Sequence, residues 1–188
     1  LVRNAVNILG GDWLKEKESW ANQEQPRETP PVMIMICNRT ETAARLEYSM
    51  VNGYFAIDEL SEKDALLRID QDALDKIESD EAERINADKS GKELVQDQRE
   101  KFNTVGKKGK AGEQIQCVIG VNMLSEGWDA RTVTHILGLR AFTSKLLCEQ
   151  VIGRGLRRIS YDLNSDGKFD SEYVTVFGVP FTFLPAEQ

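Results

Sequence analysis

VMIMICNRTETAARLEYSMV, residues 32–51, carries the first decision about the fold. Its first six residues are apolar without interruption, at strand length. A strand with one wet face alternates polar and apolar side chains, so an unbroken run points to a strand covered on both faces, as in a parallel sheet. The period then changes. Ala43, Leu46 and Met50 recur at helical spacing, Thr40 is a candidate cap, and Glu41 and Thr42 suit a first turn. Strand, polar turn and helix form the unit from which doubly wound α/β sheets are built.

The same signal recurs outward along the chain. IQCVIGV (115–121) and VTHILGL (133–139) read as further buried strands, ALLRID (65–70) as a short one, and EYVTVFGVPF (172–181) as the last. A helix is expected from about Thr143 to Val151, and residues 72–103 are charged and helical in pattern, with a break at Gly91. Residues 103–113 read as a flexible basic loop, and residues 1–20 as a helix interrupted at Gly10-Gly11. The expected architecture is α/β, a doubly wound, mostly parallel sheet with helices on both faces. Residues 1–31 would be a helix and linker from a preceding domain, 32–181 the domain itself with an acidic helical insertion at about 58–100, and 182–188 a tail. The chain opens on Leu1 and closes soon after an apolar strand, so a piece of a longer protein is expected.

Composition narrows the class. The 188 residues are 40% hydrophobic and 29% charged, enough for one domain with a core. Cys37, Cys117 and Cys148 are odd in number and form no CxxC pair, which suggests buried thiols in a reducing compartment. No run approaches a membrane span and no signal peptide opens the chain, so a soluble, cytoplasmic protein without a membrane partner is expected. The net charge of -7 argues against nucleic acid, but the acidity is local. Residues 58–83 hold eleven acidic against three basic residues, whereas 99–110 and 139–158 each sum to +4.

Ligands of such sheets sit at the carboxyl ends of strands. Three polar clusters are expected there: Asn38-Arg39-Thr40, NMLSEGWDA (122–130) and CEQVIGRGLRR (148–158). Arg154 and Arg157, three apart, face the same way at a helix start, and guanidinium forks match phosphate oxygens. Gly153 lets backbone approach a ligand and Gln150 adds a neutral donor and acceptor. The plainer reading pairs these arginines with the acidic segment. In SEGWDA, Gly127 and Asp129 shape a turn whose carboxylate can accept from a ribose hydroxyl or an arginine, and an ordinary strand-to-helix turn explains it equally well. Trp128 reads as a core anchor.

Several motifs lead elsewhere. DLNSDGKFDSEY (162–173) nearly spells a calcium loop, but Tyr173 stands where a bidentate Glu belongs, so a polar turn is expected. His135, the only histidine, lies inside an apolar run and reads as a packed strand position. No GxSxG supports a covalent hydrolase, and no GxGxxG follows the first strand as a dinucleotide-binding fold requires.

Taken together, QVIGRGLR (150–157), LSEGWDA (124–130) and VMIMICNRT (32–40) resemble motifs VI, V and IV of the C-terminal RecA-like domain of superfamily 2 DEAD/DEAH-type helicases. The chain looks most similar to the Res (helicase) subunit of type III restriction enzymes, over about residues 32–180. The resemblance implies a RecA-like fold and a second motor domain of an ATP-dependent DNA helicase or translocase. It implies that Arg154 and Arg157 are arginine fingers on the γ-phosphate, with Gln150 near the same phosphate, Gly153 close to the ligand, Asp129 near the ribose and Gly127 shaping the turn. Asn38, Arg39, Thr40 and Asn122 would line the nucleic-acid track, while Val121 stands where related helicases carry a Thr. The chain contains no GxxxxGK[ST] phosphate loop, so ATP and Mg2+ would be held mainly by an N-terminal RecA-like domain, and this part alone would be inactive. DNA, that N-terminal domain and a modification methyltransferase subunit are the implied partners. The rival expectation is a nucleotide-independent RecA-like scaffold within a larger complex.

Overall fold

A computed structural model describes residues 2–23, 27–70, 91–121, 128–140, 142 and 145–178. In chain order these form α1 (Val2–Ala21), β1 (Val32–Cys37), α2 (Thr40–Val51), β2 (Leu66–Ile69), α3 (Gly91–Asn103), β3 (Cys117–Val121), β4 (Val133–Leu139), α4 (Lys145–Gly155) and β5 (Thr175–Phe177). The strands make one all-parallel sheet of order β2-β3-β1-β4-β5. β1 is central, and all six of its residues are buried, as its uninterrupted apolar run requires.

Successive side chains of a strand point to opposite faces, and the two faces are covered separately. Met33, Met35 and Cys37 pack with Val6, Leu9 and Trp13 of α1 and with Ala43, Leu46 and Met50 of α2. Val32, Ile34 and Ile36 share the other core with Phe102 of α3 and with Cys148, Val151 and Ile152 of α4. Helices therefore cover both faces of a doubly wound sheet, and the architecture agrees with a RecA-like fold. Among the described residues no helix is long and apolar enough to cross a membrane.

Four local expectations change. Gly10-Gly11 does not interrupt α1, because Gly10 is a buried contact on which any Cβ would collide with Ile57 Cδ1. Thr40 is the first residue of α2 rather than its cap: extended Arg39 holds that position without a side-chain bond. Gly91 opens a helix instead of breaking one, and residues 71–90 lie outside the described residues. The basic stretch 104–113 is folded into successive turns, closed by Lys107 N to Thr104 O at 3.0 Å and Glu113 N to Lys110 O at 3.0 Å. The strand expected at 172–181 is seen at Thr175–Phe177, and residues 179–188 lie outside the described residues. The calcium-like stretch is the expected polar turn, with an antiparallel bridge from Leu163 to Phe169 and Asn164 Oδ1 accepting from the amides of Asp166 and Lys168 at 3.0 Å each.

His135 has a structural task. The β1–β4 register slips one residue, from Val32↔Val133 to Met33↔His135, leaving Thr134 as a bulge. Nε2 of His135 lies 3.2 Å from Asp12 Oδ2, which also accepts from Thr175 Oγ1 at 3.0 Å. A carboxylate only accepts, so Nε2 carries the proton and Nδ1 accepts from the Thr134 hydroxyl at 2.8 Å. One carboxylate thus ties α1 to two strands. Burial holds the His135 imidazole below its ordinary value, against the upward pull of Asp12 and Glu16. The folded state then favours the neutral ring more than the unfolded chain does, so this stability is complete above the unfolded value of about 6.5 and is lost as pH falls through it. Urea unfolding between about pH 7.5 and pH 5 is expected to lose stability more steeply in the native chain than in His135→Gln. Parallel slopes would place the pH dependence on other groups.

Candidate functional site

Parallel strands have a common amino edge and a common carboxyl edge, and this decides which motifs can meet. β4 ends at Leu139 on the carboxyl edge, and α4 must return across the sheet before β5 begins. The end of α4, with Arg154 and Arg157, therefore lies at the amino edge, beside the segment Trp128–Thr132 that enters β4. Asn38, Arg39 and Thr40 follow Cys37 at the opposite edge. A seven-residue strand spans about 20 Å, so the two regions are separate. The expectation of three clusters on one carboxyl edge is corrected on this ground. The arginines also sit at a helix end rather than a helix start. Asn122 and Gly127 lie outside the described residues.

The amino-edge site is organised by Trp128. Its ring, 3% exposed, stacks on Phe102 at 4.9 Å with an interplanar angle of 5°, and its Nε1 donates to Phe102 O at 2.7 Å. It is the core anchor that the sequence suggested. With the ring fixed, the backbone carbonyl is aimed at the end of α4. Nη1 of Arg154 donates to Trp128 O, and Nη1 of Arg157 donates to the same oxygen at 3.1 Å. Arg157 Nη1 also pairs with Asp129 Oδ1, while Arg131 Nε lies 3.9 Å from Asp129 Oδ2. Asp129 and the two arginines, from segments 25 residues apart or more, thus form one cluster. Within the described residues, Arg154 and Arg157 bond to the Trp128–Asp129 turn, and residues 71–83 of the acidic stretch lie outside the described residues.

Magnitudes separate the two arginines. Arg154 is 8% exposed, its guanidinium lies 5.8 Å from the Trp128 ring centroid, and burial followed by the neighbouring Arg157 lowers its pKa, with Asp129 opposing. A charge-assisted bond of that kind contributes about 1.5–3 kcal/mol. The Arg157 and Asp129 side chains are 40% and 45% exposed, and such a pair contributes at most about 1 kcal/mol. Arg157 can leave its partner at small cost.

The other candidates divide as plainly. Gln150 is exposed one turn before Arg154. Gly153 is exposed, and a Cβ there would meet nothing within 4 Å. The required glycine is Gly155, where a Cβ would collide with Val174 Cγ2 and lie 2.9 Å from Val174 Cβ. Arg158 closes the following turn, donating to Ser160 O at 3.1 Å and Asp170 O at 2.8 Å, with its guanidinium 4.8 Å from the Phe169 centroid. At the carboxyl edge, Asn38 and Arg39 are exposed, and Thr42 Oγ1 donates to Asn38 Oδ1 at 3.4 Å. Cys37 and Leu139 are register partners, so Arg140 leaves the sheet beside Asn38. The chain turns toward opposite sides of the sheet after β1 and β4, the kind of crevice in which α/β sheets bind ligands. Sequence reading had assigned Arg140 no role, and only the strand order reveals its neighbours.

The two glycines give a direct test of this packing. Gly155→Ala is expected to lower stability by about 1–3 kcal/mol through overpacking, whereas Gly153→Ala, in an open helical position, raises it by roughly 0.5–1 kcal/mol. Urea midpoints of the two variants check the order, and equal midpoints would remove the assigned contact with Val174. Comparison with protein-family models and with curated protein sequences finds no match to this chain.

Proposed function

We propose that the chain is the second motor domain of an ATP-dependent DNA helicase or translocase, of the type that type III restriction enzymes carry. The observation that supports this reading most is the meeting of Asp129 with Arg154 and Arg157 at one sheet edge, since these are the motif V and motif VI residues of the resemblance. The donors fit a nucleoside triphosphate: Arg157 offers an exposed guanidinium to phosphate oxygens, and Asp129 offers an acceptor to a ribose hydroxyl. Asp129 lies between Arg131 and Arg157, a setting that suits a hydroxyl donor better than a divalent cation. Magnesium and most of the triphosphate contacts are therefore assigned to a preceding RecA-like domain, and a cytoplasmic location goes with the reading. Asn38, Arg39 and Thr40, at the other edge, would meet the DNA backbone, which carries little sequence information.

One observation favours the rival scaffold: Arg154, Arg157 and Asp129 already find partners within the chain. Turnover separates the two readings. In the full-length protein, Arg157→Ala is expected to lower DNA-stimulated ATP hydrolysis by about 10³-fold, the scale of an arginine finger. Unchanged hydrolysis in that variant would select the scaffold.

A further inference from the structure

Arg154 and Arg157 meet one carbonyl oxygen, yet they stand in different surroundings. Arg154 belongs to the last turn of α4 and is 8% exposed, and the Trp128 carbonyl it holds belongs to a residue locked on Phe102. Arg157 lies beyond the helix with an exposed guanidinium. The chain on either side of it is fixed: Gly155 is wedged on Val174, and Arg158 is bonded to Ser160 O and Asp170 O. A rigid backbone with one releasable cation is suited to meeting an anion carried by another body. A cation enclosed by its own fold is suited to holding that backbone in place.

Resting on the functional reading above, we propose that Arg154 is a positioning residue that holds the Trp128 carbonyl and the Asp129 turn, and that Arg157 alone gives its guanidinium to the phosphate. Arg154 keeps its bond to Trp128 O when nucleotide is bound, and Arg157 exchanges Asp129 for phosphate oxygens. Asp129, once released, is free to accept from the ribose. The two motifs are then joined by a permanent bond and a transient one.

The full-length protein tests this with two readouts, ATP turnover and amide hydrogen exchange over residues 128–132. Arg154→Ala is expected to speed exchange in that segment by about tenfold or more, because a local contact of this strength is lost. Arg154→Lys, which keeps a cation that can bond the carbonyl, restores protection and holds kcat within about tenfold of the native value. Arg157→Ala and Arg157→Lys speed exchange far less than Arg154→Ala does, but lower kcat by about 10³-fold with KM little altered. The proposal is overturned if Arg154→Lys is fully protected yet as slow as Arg157→Ala, since Arg154 would then touch the phosphate itself. It is equally overturned if Arg154→Ala leaves exchange at 128–132 unchanged. A native protein that hydrolyses no ATP defeats the functional reading instead. In that case exchange still decides the role of Arg154, and pyrophosphate titration decides the role of Arg157: weakened binding in Arg157→Ala with native binding in Arg154→Lys supports the division, and the reverse refutes it.

Discussion

The rest of the molecule depends on β1 being hydrogen-bonded on both sides to parallel neighbours and buried on both faces. Parallel strands cannot be joined by tight turns, so each crossover must travel the length of the sheet, and a dry sheet needs both faces covered. The return segments meet both needs. α2 covers one face and α3 and α4 the other, each running back to the amino edge. That edge is where helix ends, the turns at 104–113 and the entry to β4 converge. The position of the arginines follows from this pairing before any of their own contacts are counted.

Within that edge, a ring decides where a carbonyl points. Trp128 carries no charge of its own, yet its stacking on Phe102 and its indole bond to Phe102 O fix the peptide that both arginines share. Burial makes the Arg154 contact a durable one, and exposure makes the Arg157–Asp129 pair a weak one. Side chains of one type, three residues apart, thus acquire different strengths of attachment. The difference arises from where α4 stops.

The strands were legible because their signal is local. VTHILGL reads as a buried strand, and β4 is residues 133–139. Helix interiors were less so. The glycine pair of α1 looked like an interruption because helix propensity assigns glycine a cost, whereas the side chain of Ile57, forty-seven residues away, would have to shift to admit a Cβ at Gly10. Of the glycines beside the arginines, Gly153 carried the functional argument and Gly155 has the packing reason. The residue types of the site were readable, but their grouping was not. The side on which α4 ends depends on strand order, and the shared acceptor is a backbone atom that no residue letter encodes.

Strand order also limits how the two edges could communicate. Asn38, Arg39 and Arg140 lie at one edge and Asp129, Arg154 and Arg157 at the other, joined by strands whose side chains are close-packed between helices on both faces. Sliding one strand by a single residue would turn its buried side chains to the wrong face, and interiors at crystal-like density do not deform gradually. α4 is wedged through Gly155 on Val174, and α1 is tied through Asp12 to His135 and Thr175. A signal between the edges would therefore travel as rotation of the whole domain against another body, with the weak Arg157–Asp129 pair as the contact that yields. In the motor domain proposed above, the sheet would stay rigid and the change of state would be confined to its rim.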